Sequence, residues 1–147
     1  MACALSAWHH LPYGVSCGIL LPEVMAYQVQ NEVLQMNQFF NRPYRSLKKR
    51  YRKLAAFCGL GEGAAREPFA QLLRAVRQLR DRGEIYPTIQ AYGVEEAYFL
   101  DTLDRMTEVA WNHPWMNYSP VVPGIAEVRK LYLRCYYGED WKERRPE

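Results

Sequence analysis

The sequence predicts an all-α fold. Two observations carry that prediction: apolar residues recur at three- and four-residue spacing through most of the chain, and no stretch sustains the one-in-two alternation of a half-buried strand. With 147 residues, 49% of them apolar, the chain is long enough to remove about two-thirds of its unfolded surface from water. It is read as one helical domain over residues 1–138 with a charged tail at 139–147.

The elements follow in order. Met1 to Trp8 is apolar, has no capping residue and lacks the basic start of a secretory signal, so it reads as helix interior, as though a longer ancestor were already helical there. Pro12-Tyr13-Gly14 is a turn running into an apolar helix through Leu21. Leu47, Tyr51, Leu54, Ala55 and Cys58 give an amphipathic helix between Arg45 and Cys58, closed by Gly59, Gly61 and Gly63, with its basic residues on the wet side.

Phe69, Leu72, Leu73, Val76 and Leu79 mark a helix from Pro68 to Arg82, with Pro68 in the first turn and Gly83 at the stop. A further helix spans about Val94 to Trp111, with Phe99, Leu103, Met106 and Ala110 in one stripe and Asp101 able to pair with Arg105. Residues 112–124 form an irregular loop whose Trp115 and Tyr118 pack on something. The last helix starts after Pro123, turns Ile125, Val128, Leu131, Tyr132 and Cys135 inward, and ends at Gly138. The bundle should contain six to eight helices.

Composition excludes several classes. The longest apolar stretch, Val15 to Val24, falls well short of the ~20 residues that span a bilayer. Cys3, Cys17, Cys58 and Cys135 show no C-x-x-C pair, which points to reduced thiols and a cytoplasmic setting. A net charge of +3 does not by itself call for a polyanion. Arg42, Arg45, Lys48, Lys49, Arg50, Arg52 and Lys53 do cluster, with Tyr44 and Tyr51 among them, yet acidic residues elsewhere nearly balance them and nucleic acid is not expected as a partner.

The candidate ligands are few. His9 and His10 are helix neighbours pointing about 100° apart and cannot readily close on one ion. Cys3 or Cys17 could join them only if the fold brings them together. His113, between Asn112 and Pro114, suits a helix C-cap or the surface. Ionising the Tyr13 phenol at pH 7 costs about 4 kcal/mol before any metal bond forms, so this position is silent as a ligand. Its ring is instead expected to fill a gap.

Pro12-Tyr13-Gly14 followed by Gly18-Ile19-Leu20-Leu21-Pro22-Glu23-Val24-Met25, with Leu54-Ala55 ahead of Gly59-Leu60, resembles the C-terminal helical domain of iron-containing (group III) alcohol dehydrogenases. Phe99 to Trp111, then Pro120, Pro123, Ile125, Glu127 and Leu131 to Gly138, is similar to the end of the alcohol dehydrogenase half of bifunctional aldehyde-alcohol dehydrogenases. The resemblance implies an irregular multi-helix bundle. It also implies a preceding NAD(P)-binding α/β domain and a divalent metal held by one Asp and three His.

Aligned on the turn, that Asp and two of those His would precede Met1, and the third His falls on Tyr13. Cys3 stands where the family often has a His, and Cys17 where an Asn is common. A loop that reads Cys-Thr-Gly-x-Asn-Pro-Arg in the aldehyde-alcohol dehydrogenases is Trp115 to Val121 here, with only Pro120 kept. Gly59, Gly61 and Gly63 follow a helix rather than a strand, the wrong context for a dinucleotide fingerprint.

The sequence therefore assigns no catalytic, cofactor-binding or metal-ligating residue and no cofactor. It reads as a truncated dehydrogenase-like domain with a degenerate metal site, inactive alone and acting as a binding or assembly module. The alternative is part of a split enzyme completed by a nucleotide-binding chain, with Trp8, Phe39, Phe40, Trp111 and Trp115 as a docking patch. Expected partners are such a chain or a second copy, with no membrane.

Overall fold

A computed structural model describes residues 1–32, 46–60, 67–138 and 141. The expectations for Phe39, Phe40, Arg42, Tyr44, Arg45, Gly61 and Gly63, and for the tail apart from Trp141, fall outside the described residues. Seven α-helices, and no strand, occur among the residues described: α1 (Ala2–His9), α2 (Tyr13–Gln30), α3 (Leu47–Phe57), α4 (Pro68–Arg82), α5 (Ile89–Tyr92), α6 (Glu96–Trp111) and α7 (Ile125–Tyr137). No helix among them is long and apolar enough to cross a membrane.

Helix ends follow local chemistry. At the end of α3, Gly59 takes a φ of +68°, the Gly59 amide donates to Ala56 and the Leu60 amide to Ala55 at 2.8 Å, the paired bonds of a Schellman stop. Helix α4 stops at Gly83 as expected, the Gly83 amide donating to Leu79 at 3.0 Å; the next residue, Glu84, is left-handed with φ +56°, and the Ile85 amide returns to Arg80 at 3.1 Å. The start of α3 is held by a distant carboxylate. Glu32 accepts from the Leu47 amide at 2.6 Å and the Lys48 amide at 3.3 Å. Burial opposes its charge, but hydrogen bonds from Ser46 and these two amides outweigh it and hold the carboxyl below its usual range.

Two cores result. The larger joins α1, the first half of α2, α5, α6 and α7 around Leu5, Ile19, Ile89, Phe99, Leu103, Met106, Val128 and Tyr132. At its centre Phe99 stacks on Tyr136, with ring centroids 4.2 Å apart and planes 18° from parallel. The smaller joins Met25 of α2, Ala55 of α3 and Leu72 of α4, flanked by Tyr51 and Phe69.

Between them, within α2, lies buried Pro22, which has no amide to give the Gly18 carbonyl four residues back. Gly18 is also where Ile85 comes close: a Cβ there would sit 2.9 Å from Ile85 Cδ1.

Several expectations are corrected. Leu54, Cys58 and Ile125 are exposed. Leu54 and Ile125 sit at the margins of their stripes, and Cys58 lies past the last turn of α3. Asp101 does not pair with Arg105; on α6 it is Asp104 that pairs, with Arg129 of α7 at 2.8 Å. The segment 112–124 is partly ordered as a 3-10 helix over Pro114–Tyr118. Tyr51, by contrast, keeps to the inner side of α3 as its place in the stripe implied, packing on Phe69 at 5.2 Å and donating to Gln28 at 3.1 Å.

Candidate functional site

Tyr13 opens α2, with Pro12 as its N-cap, and Cys17 lies one turn further on. The helix α1 folds back on α2, and Ser6 and Ser16 meet across the contact at 2.9 Å. This hairpin brings Cys3 beside the phenol. Cys17 first, by hydrogen bonding and charge, and then Cys3 raise the phenol's pKa above its ordinary value. The fold thus brings the thiols to the phenol, whereas the sequence had left open their joining His9 or His10.

The ring itself is 58% exposed. It fills no gap in the core, and that expectation fails because the start of α2 stands at the surface.

Beside it is a cavity of about 370 Å³ lined by Met1, Ala2, Cys3, Ala4, Tyr13, Val109, Ala110, His113 and Trp115. The second wall, from the end of α6 and the turn after it, has no signature in the sequence, because nothing in residue spacing ties position 113 to position 13. His113 caps the 3-10 helix that follows it, accepting from the Trp115 amide on Nδ1 at 3.3 Å, rather than the C-terminus of α6. Trp115 is 73% exposed and lies against Tyr118 with centroids 5.7 Å apart.

The histidines of α1 go elsewhere. His9 is buried against Tyr98 and Phe99, and its Nε2 lies 3.1 Å from Thr102 Oγ1. Burial, helped by His10, lowers its pKa. His10 is the exposed left-handed residue that ends α1, with φ +56°.

A second polar cluster was not anticipated. Glu23, almost buried in α2, receives Arg77 of α4 at 3.2 Å and approaches Arg134 of α7 at 3.9 Å. Its signal was a carboxylate inside an apolar run. The one carboxylate ties α2 to α4 and α7 and offsets part of the two guanidinium charges, a role in the fold.

The donor set near Tyr13 is two thiols, a phenol and an imidazole whose Nδ1 is already engaged. Among the described residues no three His, Cys, Asp or Glu side chains gather in a way that would hold a metal ion. These residues do not fit the hard, carboxylate- and imidazole-bound divalent ion that the resemblance implies.

Comparison with known proteins places the fold. The bifunctional aldehyde-alcohol dehydrogenase AdhE of Escherichia coli (strain K12) is 28% identical over 145 residues, 97% of this chain and 16% of that enzyme. An alcohol dehydrogenase of Thermococcus barophilus is 30% identical over 126 residues, 86% of this chain and 28% of the relative. The NADPH-dependent butanol dehydrogenase of Clostridium saccharobutylicum is 24% identical over 140 residues, 95% of this chain and 32% of the relative. The chain thus spans a third or less of the length of each of these relatives. The profile of the Fe-containing alcohol dehydrogenase family, C-terminal, matches residues 1–136, and the chain belongs to that family, as a counterpart of its C-terminal region.

Proposed function

We propose that this chain is a helical module of the dehydrogenase lineage that binds or assembles with other protein and does not transfer hydride on its own. One observation carries the reading. Where the turn into α2 would present an imidazole, it presents an exposed phenol flanked by Cys17 and Cys3. A neutral phenol is a poor ligand for a divalent ion at pH 7, and the surrounding donors do not compensate. A cytoplasmic setting belongs to the same proposal, since all four cysteines are free thiols.

Isothermal titration of zinc(II), iron(II) and NAD(H) into the chain tests it. We expect no tight binding and no alcohol oxidation. Tight metal binding that disappears in Tyr13→Phe would overturn the reading.

A second reading has its own support. Tyr13, Val109 and Trp115 are exposed around one cavity, and exposed Tyr118 packs on Trp115, which suits a face meant to be covered. A nucleotide-binding dehydrogenase chain would be the cover, supplying the coenzyme site and the missing ligands. Co-purification with such a chain and alcohol oxidation by the mixture alone would support it. A lack of any association would remove it.

A further inference from the structure

Two exposed faces carry opposite charge. Between Leu47 and Phe57, α3 holds Lys48, Lys49, Arg50, Arg52 and Lys53 with no acidic residue. Between Glu84 and Glu108 the chain holds six carboxylates and one arginine. The imbalance on one segment is thus equal and opposite to that on the other.

Each face is a stripe. On α3, Arg50, Lys53 and Phe57 are spaced three and four apart and share one side, flanked by Lys49 and Leu54; all are exposed, Phe57 at 89%. On α6, Asp101, Asp104 and Glu108 have the same spacing, are exposed, and are flanked by exposed Leu100. Asp104 already holds Arg129. Asp101 and Glu108 lie on either side of that pair.

The two stripes serve different parts of the molecule. Helix α3 packs on α4 and α2, whereas α6 packs on α7 and α1. Both stripes point away from the cores that hold them.

From this complementarity we infer that the chain self-associates head to tail, the basic stripe of α3 on one copy lying along the acidic stripe of α6 on the next. Phe57 and Leu54 then meet Leu100 inside a charged rim, an apolar centre within complementary charge. Such a contact uses different patches on the two copies, so each copy keeps one free stripe and can add another. The inference rests on the assembly-module reading. Metal and coenzyme titration judges that reading separately, so a monomer that binds neither would sink the self-association and leave the module standing.

Sedimentation velocity and light scattering across salt provide the test. At about 0.05 M salt the chain should run larger than one copy, and at about 0.5 M, where exposed charges are screened within a few ångströms, it should return to the monomer. Lys49→Gln with Lys53→Gln should abolish association, and so should Asp101→Asn with Glu108→Gln. An equal mixture of the two variants should form a species of two copies and stop there, because only one pairing of opposite stripes remains. Phe57→Ser, a milder change, should weaken association without altering its salt dependence, and circular dichroism should show every variant as helical as the parent. A monomer at low salt, association indifferent to salt, or a mixture that stays monomeric would each overturn the inference.

Discussion

His9 Nε2 meets Thr102 Oγ1 at 3.1 Å, and that hydroxyl donates to the Tyr98 carbonyl at 2.9 Å. With the hydroxyl proton directed at the carbonyl, the Nε2–H tautomer of His9 is the one that completes the contact. Its buried Nδ1 has no hydrogen-bond partner among the described residues. Protonating Nδ1 would place a charge in the apolar core between α1 and α6, which agrees with the lowered pKa.

Stability should therefore fall on acidification. Between the unfolded value near 6.5 and the lower folded value, the unfolded chain binds the proton and the folded chain does not, so stability drops by up to about 1.4 kcal/mol per pH unit until the folded value is passed. Urea midpoints from pH 8 to pH 5 should show this slope, and His9→Leu should flatten it.

Removing charge from Glu23 should cost more than a surface change. In Glu23→Gln two half-buried arginines lose their shared carboxylate, and the loss should be about 1–3 kcal/mol in chemical denaturation. Arg77→Gln should cost less, because Arg134 remains beside the carboxylate.

The tyrosines should separate by burial. Tyr13→Phe removes a hydroxyl from an exposed ring and should shift stability by less than about 0.5 kcal/mol. Tyr136→Phe removes the 2.9 Å bond to the Val94 carbonyl beneath the core and should cost about 1 kcal/mol. Paired thermal melts measure both.

Thiol labelling should proceed in three classes. Cys3 and Cys58 are exposed and should react first with an aromatic disulfide reagent, with half-buried Cys17 slower. Cys135 is buried and its pKa is raised by that burial, so it should label only on unfolding.

Much of this was legible in the chain. Periodicity located α4, α6 and α7 within two residues, because each has a wide apolar stripe and a defined stop. The stop of α4 fell at Gly83 as expected, although the left-handed position is taken by the next residue, Glu84. Exposure at the edges of stripes, as at Leu54 and Ile125, depends on which neighbours arrive, and spacing along one helix cannot show that. The candidate site was half legible. Tyr13 and Cys17 are one turn apart and could be paired from sequence, whereas Cys3, His113 and Trp115 reach the same cavity only through the packing of α1 and α6.

Pro22 has a mechanical meaning. It sits where the backbone of α2 passes from the larger cluster to the smaller, which among the described residues joins α3 and α4 through buried Met25, Ala55 and Leu72. Thermal motion should loosen that lobe first, the Gly18 carbonyl marking the hinge, while the Phe99 and Tyr136 lobe stays intact. Amide deuterium uptake should be fast across α3 and α4 and slow across α6 and α7, so the molecule melts from one end rather than all at once.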